Sequence, residues 1–108
     1  MGLVVVPLKE DKVEAWKSWT KKLAGEKKEA FDDMNKRLGL ERHDAWFAET
    51  PSGPVVVVLH EGPGAETFMQ NVAKSDNSFD VWMKESIEDF HGMKLGAPLP
   101  GPMPVKMI

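Results

Sequence analysis

The sequence predicts an α+β fold, with a four-stranded antiparallel sheet and helices on one of its faces. Runs of β-branched and other apolar residues at positions 3–6 and 55–59 have the composition of central strands that are covered on both faces. The segments that follow these runs carry apolar residues at helical spacing. The length of 108 residues is that of one domain, and the absence of cysteine excludes disulfides and thiolate metal sites.

The first part of the chain is predicted to be a strand followed by a divided helical region. Residues 3–6 form a short strand that ends at Pro7, because proline has no amide to donate to a neighbouring strand. From residue 11 to residue 38 the apolar positions follow the stripe of an amphipathic helix. A single helix of this length would far exceed a typical strand, so we expect Gly25 to bend it or divide it. Gly39 is predicted to be the C-terminal cap.

A hairpin and two further helices are predicted next. Residues 41–49 and 55–59 are strand-like, and the Pro-Ser-Gly-Pro sequence at 51–54 between them indicates a tight turn. Residues 65–74 have helical spacing. Residues 79–90 show the cleanest helical periodicity in the chain, with Asn77 as the N-cap, Asp80 in the capping-box position and Gly92 after the last turn.

The C-terminal region is predicted to be an extended arm. Prolines at 98, 100, 102 and 104 exclude regular helix there and leave residues 105–108 as a weak last strand. We therefore divide the chain into a domain over residues 1–96 and a proline-rich arm over residues 97–108. The order of elements is that of the split βαβ, or ferredoxin-like, topology, whose strands lie in the spatial order 4-1-3-2.

The apolar character of the two central strands has a consequence for assembly. Helices cover only one face of such a sheet, so the other face needs a second copy of the sheet or an enclosed ligand. We therefore expect a homodimer.

Two stretches of the chain resemble a known superfamily. They are Arg37-Leu38-Gly39-Leu40 leading to Trp46, and residues 75–82 running on to Phe90-His91-Gly92. They resemble the dimeric α+β barrel superfamily, and within it a group of small bacterial proteins of unknown function related to antibiotic-biosynthesis monooxygenases and stress-responsive A/B barrel proteins. The resemblance implies a dimer formed sheet to sheet, with a pocket in each subunit between sheet and helices. It implies no particular reaction.

Two histidines are the candidate catalytic or ligand-binding residues. His60 ends a central strand, and His91 lies in the last turn of the last helix, where a stabilising interaction with the helix dipole is the competing interpretation. Trp46 from the sheet and Trp82 and Met83 from the last helix are the candidate pocket walls.

The sequence predicts no metal site and no cofactor. The third histidine, His43, is expected to face solvent, and no histidine spacing matches a metal motif. The heme-degrading members of the resembled superfamily bind iron through a pocket histidine, helped by a tryptophan and an asparagine. The first strand here contains no asparagine, so that pattern is not matched in position, and heme remains an alternative only.

The leading functional hypothesis is a cavity for a small apolar or aromatic molecule, with a monooxygenase-like reaction as its catalytic form. The alternatives are a non-catalytic protein-interaction module that uses the sheet face and the arm, and a heme-binding protein. The residues do not distinguish an enzyme from a binding protein.

Charge and hydropathy exclude two classes of partner. A net charge of −3 with mixed signs offers no surface for nucleic acid. The longest apolar run, residues 55–59, is far shorter than the roughly 20 residues that cross a membrane. With no leader segment at the start and no cysteine, the predicted location is the cytoplasm.

Overall fold

A three-stranded antiparallel sheet, in the order β1-β3-β2, forms the base of the protein. The structure is a computed structural model and describes residues 2–97 and 103–108. Strand β1 spans Gly2–Pro7, β2 spans Arg42–Thr50 and β3 spans Gly53–Glu61. Strand β3 pairs with both of the others, so the predicted central position of this strand is correct.

The predicted fourth strand is wrong. Residues 103–108 form neither helix nor strand, and the side chains of Val105, Met107 and Ile108 are 77%, 88% and 105% exposed. These side chains bury almost nothing, and Pro104 removes a backbone donor from the segment, so little opposes the entropy of the extended chain. Within the described residues no strand pairs with the outer edge of β1, so the order is 1-3-2 in place of the predicted 4-1-3-2. The predicted central position of β1 is therefore wrong, because β1 lies at an edge of the sheet. Residues 98–102 of the predicted arm lie outside the described residues.

Four helices are present in the described part of the chain. They are α1 (Val13–Ala24), which follows a 3₁₀ turn at Glu10–Lys12, α2 (Lys28–Arg37), α3 (Phe68–Lys74) and α4 (Ser78–His91). The first helical region is divided at Gly25, as predicted. None of these helices is long and apolar enough to cross a membrane.

The two faces of the sheet have different surroundings. Because side chains alternate along a strand, one set faces the helices and forms part of the core, as Val4, Val6 and Val56 do. The other set forms what we call the open sheet face, and it includes Leu3, Val5, Pro7, Val55, Val57, Leu59, Trp46 and Ala48, together with the charged residues Arg42, Asp44 and Glu61. Trp46 is 48% exposed on this face, which is apolar except at the end where Arg42 forms ion pairs with Asp44 and Glu61.

Local capping fixes the ends of the helices. The side chain of Asn77 accepts hydrogen bonds from the amides of Phe79 and Asp80, and Gly92 ends α4 with a φ of 66°. Gly39, after α2, has a φ of 81°. This left-handed conformation favours glycine, so the predicted caps are correct.

The carboxylate of Asp80 does not complete a capping box, in contrast to the prediction. It is 0% exposed, and it accepts hydrogen bonds from Arg37 Nη1 and Nη2 at 3.0 and 2.9 Å and from Ser75 Oγ at 2.6 Å. Burial raises the pKa of Asp80, but the hydrogen bonds from Arg37 and Ser75 outweigh burial and lower that pKa overall. The two stretches that resemble the superfamily therefore meet here, in a contact that ties α2 to the start of α4.

Candidate functional site

A cavity of about 110 Å³ lies between the sheet and the helices. Its floor is formed by small and β-branched residues of the sheet, such as Val56, Val58 and Ala45. Its walls are larger side chains of the helices, including Trp16 and Trp19 of α1. A flat floor of valines under large rings is a shape that close packing does not fill completely.

All three histidines line this cavity. His43 and His60 are cross-strand neighbours on β2 and β3, and their ring centroids are 4.6 Å apart at an angle of 77°. Phe68 packs against both, with centroid distances of 5.2 Å to His43 and 4.7 Å to His60, and Phe31 lies 5.0 Å from His43. The imidazoles therefore belong to an aromatic cluster at one end of the cavity.

The imidazoles of His43 and His60 are neutral at pH 7. Burial, together with the nearby His60, lowers the pKa of His43 to about 3, and burial lowers the pKa of His60 to about 4. His43 Nδ1 lies 2.9 Å from Asn35 Oδ1. Because an amide oxygen only accepts, Nδ1 carries the proton and Nε2 is left as a hydrogen-bond acceptor.

His91 is held by a hydrogen bond across the fold. Its Nδ1 donates to the backbone carbonyl of Pro7 at 2.8 Å, which ties the end of α4 to the end of β1. Burial lowers the pKa of His91 and outweighs this hydrogen bond. The interpretation of His91 as a charged residue at a helix terminus is therefore not supported.

The structure brings three of the five predicted site residues to the cavity. His60 and His91 line it, as does Met83, which is 2% exposed. Trp82 lies outside, where its ring contacts Trp19 and Phe79 with centroid distances of 6.0 and 5.6 Å. Trp46 lies on the open sheet face, and it borders a surface groove along β2 rather than the cavity.

The prediction that His43 faces solvent is wrong, and sequence reasoning also missed Phe31 and Phe68. The alternation on β2 carried a signal for His43, because His43, Ala45 and Phe47 fall on one face and Asp44 and Trp46 on the other. Only the pairing register shows which of these two faces turns toward the helices.

The cavity does not fit heme, the cofactor of some members of the resembled superfamily. Its volume of about 110 Å³ lies below the roughly 300–1,000 Å³ of sites for drug-sized ligands. Within residues 2–97 and 103–108, no group of three or more histidine, aspartate or glutamate side chains is arranged to hold a metal ion.

In the comparisons with known proteins, no family model, no curated protein and no solved structure matches the chain. The described residues form an α+β protein with a three-stranded sheet and helices on one face of it. Three histidines line the apolar cavity between sheet and helices. The resemblance to the dimeric α+β barrel superfamily rests on the residues quoted for it above.

Proposed function

We propose that the protein binds a small, uncharged, apolar or aromatic molecule in the cavity between sheet and helices. The observation that carries this proposal is the lining: aliphatic and aromatic side chains with three imidazoles as the main polar groups. A mostly apolar hollow with a few polar groups is typical of small-molecule sites.

The volume of the cavity limits the size of the bound group. A cavity of about 150 Å³ takes a benzene molecule, whereas one water needs about 30 Å³ of liquid volume. The cavity of about 110 Å³ is closer to the first value than to the second. It therefore suits a small ring or a short branched alkyl group.

The charge of the lining selects for neutral molecules. The described residues that line the cavity include no lysine, arginine, aspartate or glutamate, and His43 and His60 are uncharged at pH 7. An ion placed there would lose its hydration with no opposite charge to replace it. A ligand that donates one hydrogen bond, for example from a hydroxyl group, has the neutral imidazoles of the lining as possible acceptors.

The histidines suit binding better than proton transfer. A general base works best when its pKa lies near the working pH, and the pKa of His60 is lowered to about 4. A monooxygenase-like reaction is the catalytic form of this proposal, and it would depend on a substrate that itself activates oxygen. Its test is oxygen consumption in the presence of a bound ligand.

Toluene binding tests the proposal, because Trp16 and Trp19 line the cavity and their fluorescence reports on its contents. We expect saturable binding to the wild-type protein. The substitution Val58→Leu places extra methyl volume in the cavity and should weaken binding at least about tenfold, more than the loss of one buried methylene contact. The matched control is Val105→Leu, the same change at a position that is 77% exposed and does not line the cavity.

Equal affinity of toluene for wild type and Val58→Leu would contradict the proposal, as would equal weakening by Val105→Leu. Titration with hemin tests the heme alternative in the same samples. We expect no Soret band, because the cavity is too small for a porphyrin.

A second proposal concerns the open sheet face. We propose that a second copy of the chain covers it and forms a homodimer, because Val5, Val57 and Trp46 lie side by side in one row across the three strands. Exposed apolar patches of this kind mark interaction sites. Light scattering should give twice the monomer mass, and Trp46→Glu should give a monomer.

The control for the dimer is Ala15→Glu, an exposed position on α1. A wild-type protein that is monomeric at all concentrations would contradict the homodimer. It would leave the open sheet face to a different protein, which is the interaction-module alternative.

A further inference from the structure

The three imidazoles of the cavity lining differ in their hydrogen bonds. His43 donates through Nδ1 to Asn35, and His91 donates through Nδ1 to the backbone carbonyl of Pro7. The ring of His60 takes part in no hydrogen bond within residues 2–97 and 103–108, although the residue is only 4% exposed. His60 is therefore the buried histidine of the lining for which the described part of the fold provides no polar partner.

The position of His60 on β3 brings its ring to the cavity. His60 lies on the same face of the strand as Val56 and Val58, the face that is turned toward the helices, and all three line the cavity. Because burial lowers its pKa to about 4, the ring is neutral at pH 7. A neutral imidazole has one nitrogen that donates a hydrogen bond and one that accepts.

The lining contains a second polar group without a partner. Trp19 Nε1 is buried, and nothing accepts its proton in the part of the chain that the structure describes. An indole N–H only donates. The unpartnered groups of the lining thus include an acceptor at His60 and donors at His60 and Trp19, and a hydroxyl group is the smallest group that both donates and accepts.

We propose that the molecule in the cavity is a small ring that carries one hydroxyl group, and that His60 is the residue that selects it. The hydroxyl group donates its proton to the unprotonated ring nitrogen of His60, and the ring of the ligand packs on the valines of the floor. This inference rests on the proposed function, because it places the ligand in the same cavity. It adds the chemical class of the ligand and the residue that recognises it.

Phenol and toluene are the matched probes, because they differ only by a hydroxyl group in place of a methyl group of similar size. Both are neutral at pH 7.5, since a phenolic hydroxyl group has a pKa of about 10. Calorimetry gives the affinity of each probe, and the ratio of the phenol affinity to the toluene affinity is the readout. A change in cavity volume affects both probes alike and leaves this ratio unchanged.

The substitution His60→Leu removes both ring nitrogens and keeps a side chain of similar size. The hydroxyl group of phenol would then be buried without its acceptor, which lowers affinity about 5- to 150-fold. The ratio should therefore be at least about fivefold lower for His60→Leu than for wild type. Met83→Leu changes an apolar residue of the same lining, so this control should keep the ratio of the wild type.

Nitrogen NMR tests the same contact in the wild-type protein and does not depend on the folding of a variant. Phenol should shift the resonance of the accepting ring nitrogen of His60, because a hydrogen bond forms at that atom. Toluene occupies the same cavity without donating a hydrogen bond, so its effect on this resonance should be much smaller.

Three results would overturn the inference. Equal ratios for wild type and His60→Leu, or a wild-type protein that binds toluene but not phenol, would overturn the role of His60 and leave the proposed function intact. A ratio that falls in His43→Leu but not in His60→Leu would assign the hydroxyl contact to His43 instead. The absence of binding of both probes to the wild-type protein would overturn the inference and the proposed function together.

Discussion

The pair of buried imidazoles predicts that the protein loses stability in mild acid. In the unfolded chain both histidines have the ordinary pKa of about 6.5, whereas burial lowers the pKa to about 3 for His43 and about 4 for His60 in the folded protein. Between these values the unfolded chain binds more protons than the folded one. The stability is therefore present above pH 6.5 and is lost as the pH falls toward the folded values.

The size of this loss follows from the shifts. Lowering the pH from 7.5 to 5 protonates each of the two histidines in the unfolded chain and stabilises that chain by about 2 kcal/mol per histidine. The folded protein gains almost no free energy from this change, because its two histidines stay neutral. The two residues together give a loss of about 4 kcal/mol, a large share of the roughly 5–15 kcal/mol that holds a typical domain together. The lowered pKa of His91 acts in the same direction.

Urea unfolding followed by tryptophan fluorescence at pH 7.5 and pH 5.0 measures this loss. The substitution His60→Phe keeps the aromatic contacts with His43 and Phe68 and removes one titrating group, so it should reduce the loss by about 2 kcal/mol. Glu66→Gln, on the exposed surface, is the control and should leave the loss unchanged. An equal loss in wild type and His60→Phe would refute the reasoning.

Three further predictions concern packing. Arg37→Met leaves the buried carboxylate of Asp80 without its partner and should cost about 3 kcal/mol in urea unfolding, the lower end of the range because the Arg37 side chain is 34% exposed. Gly64→Ala should prevent stable folding, as judged by circular dichroism, because a Cβ there would lie 1.9 Å from the backbone oxygen of Leu38. Val58→Leu should raise the free energy of unfolding by about 1 kcal/mol, because it fills part of the cavity.

Each of these predictions has a matched control. Arg42→Met breaks exposed ion pairs only and should cost far less than Arg37→Met. At Gly2 a Cβ would meet its nearest atom at 3.5 Å, so Gly2→Ala should fold normally. Val105→Leu adds the same volume at a position that is 77% exposed and should not stabilise the core. Equal effects of a variant and its control would contradict the corresponding prediction.

Features that depend on a few neighbouring residues were predictable from the sequence. Asn77 caps α4 through amides two and three residues ahead, and Gly39 and Gly92 end helices through their own φ angles. The break at Gly25 follows from the length of one pattern. None of these features requires knowledge of a distant part of the chain.

Features that depend on distant residues were not predictable in the same way. The contact of Arg37 with Asp80 joins positions 43 residues apart, and the direction of His43 depends on its register with His60. The fourth strand was inferred from the topology rather than from residues that could bury a face. The exposure of Ile108 shows that the order of elements alone does not make a strand.

The proposed binding function is consistent with the place of the cavity in the core. Met34, Val72 and Met83 are at most 2% exposed, so the surrounding core is tightly packed. The cavity of about 110 Å³ interrupts this packing, and the buried imidazoles that line it add the acid-dependent cost described above. A ligand that fills the cavity contributes stability by binding only the folded state. A cavity and buried polar groups at one place in the core are therefore what the proposed binding function leads us to expect.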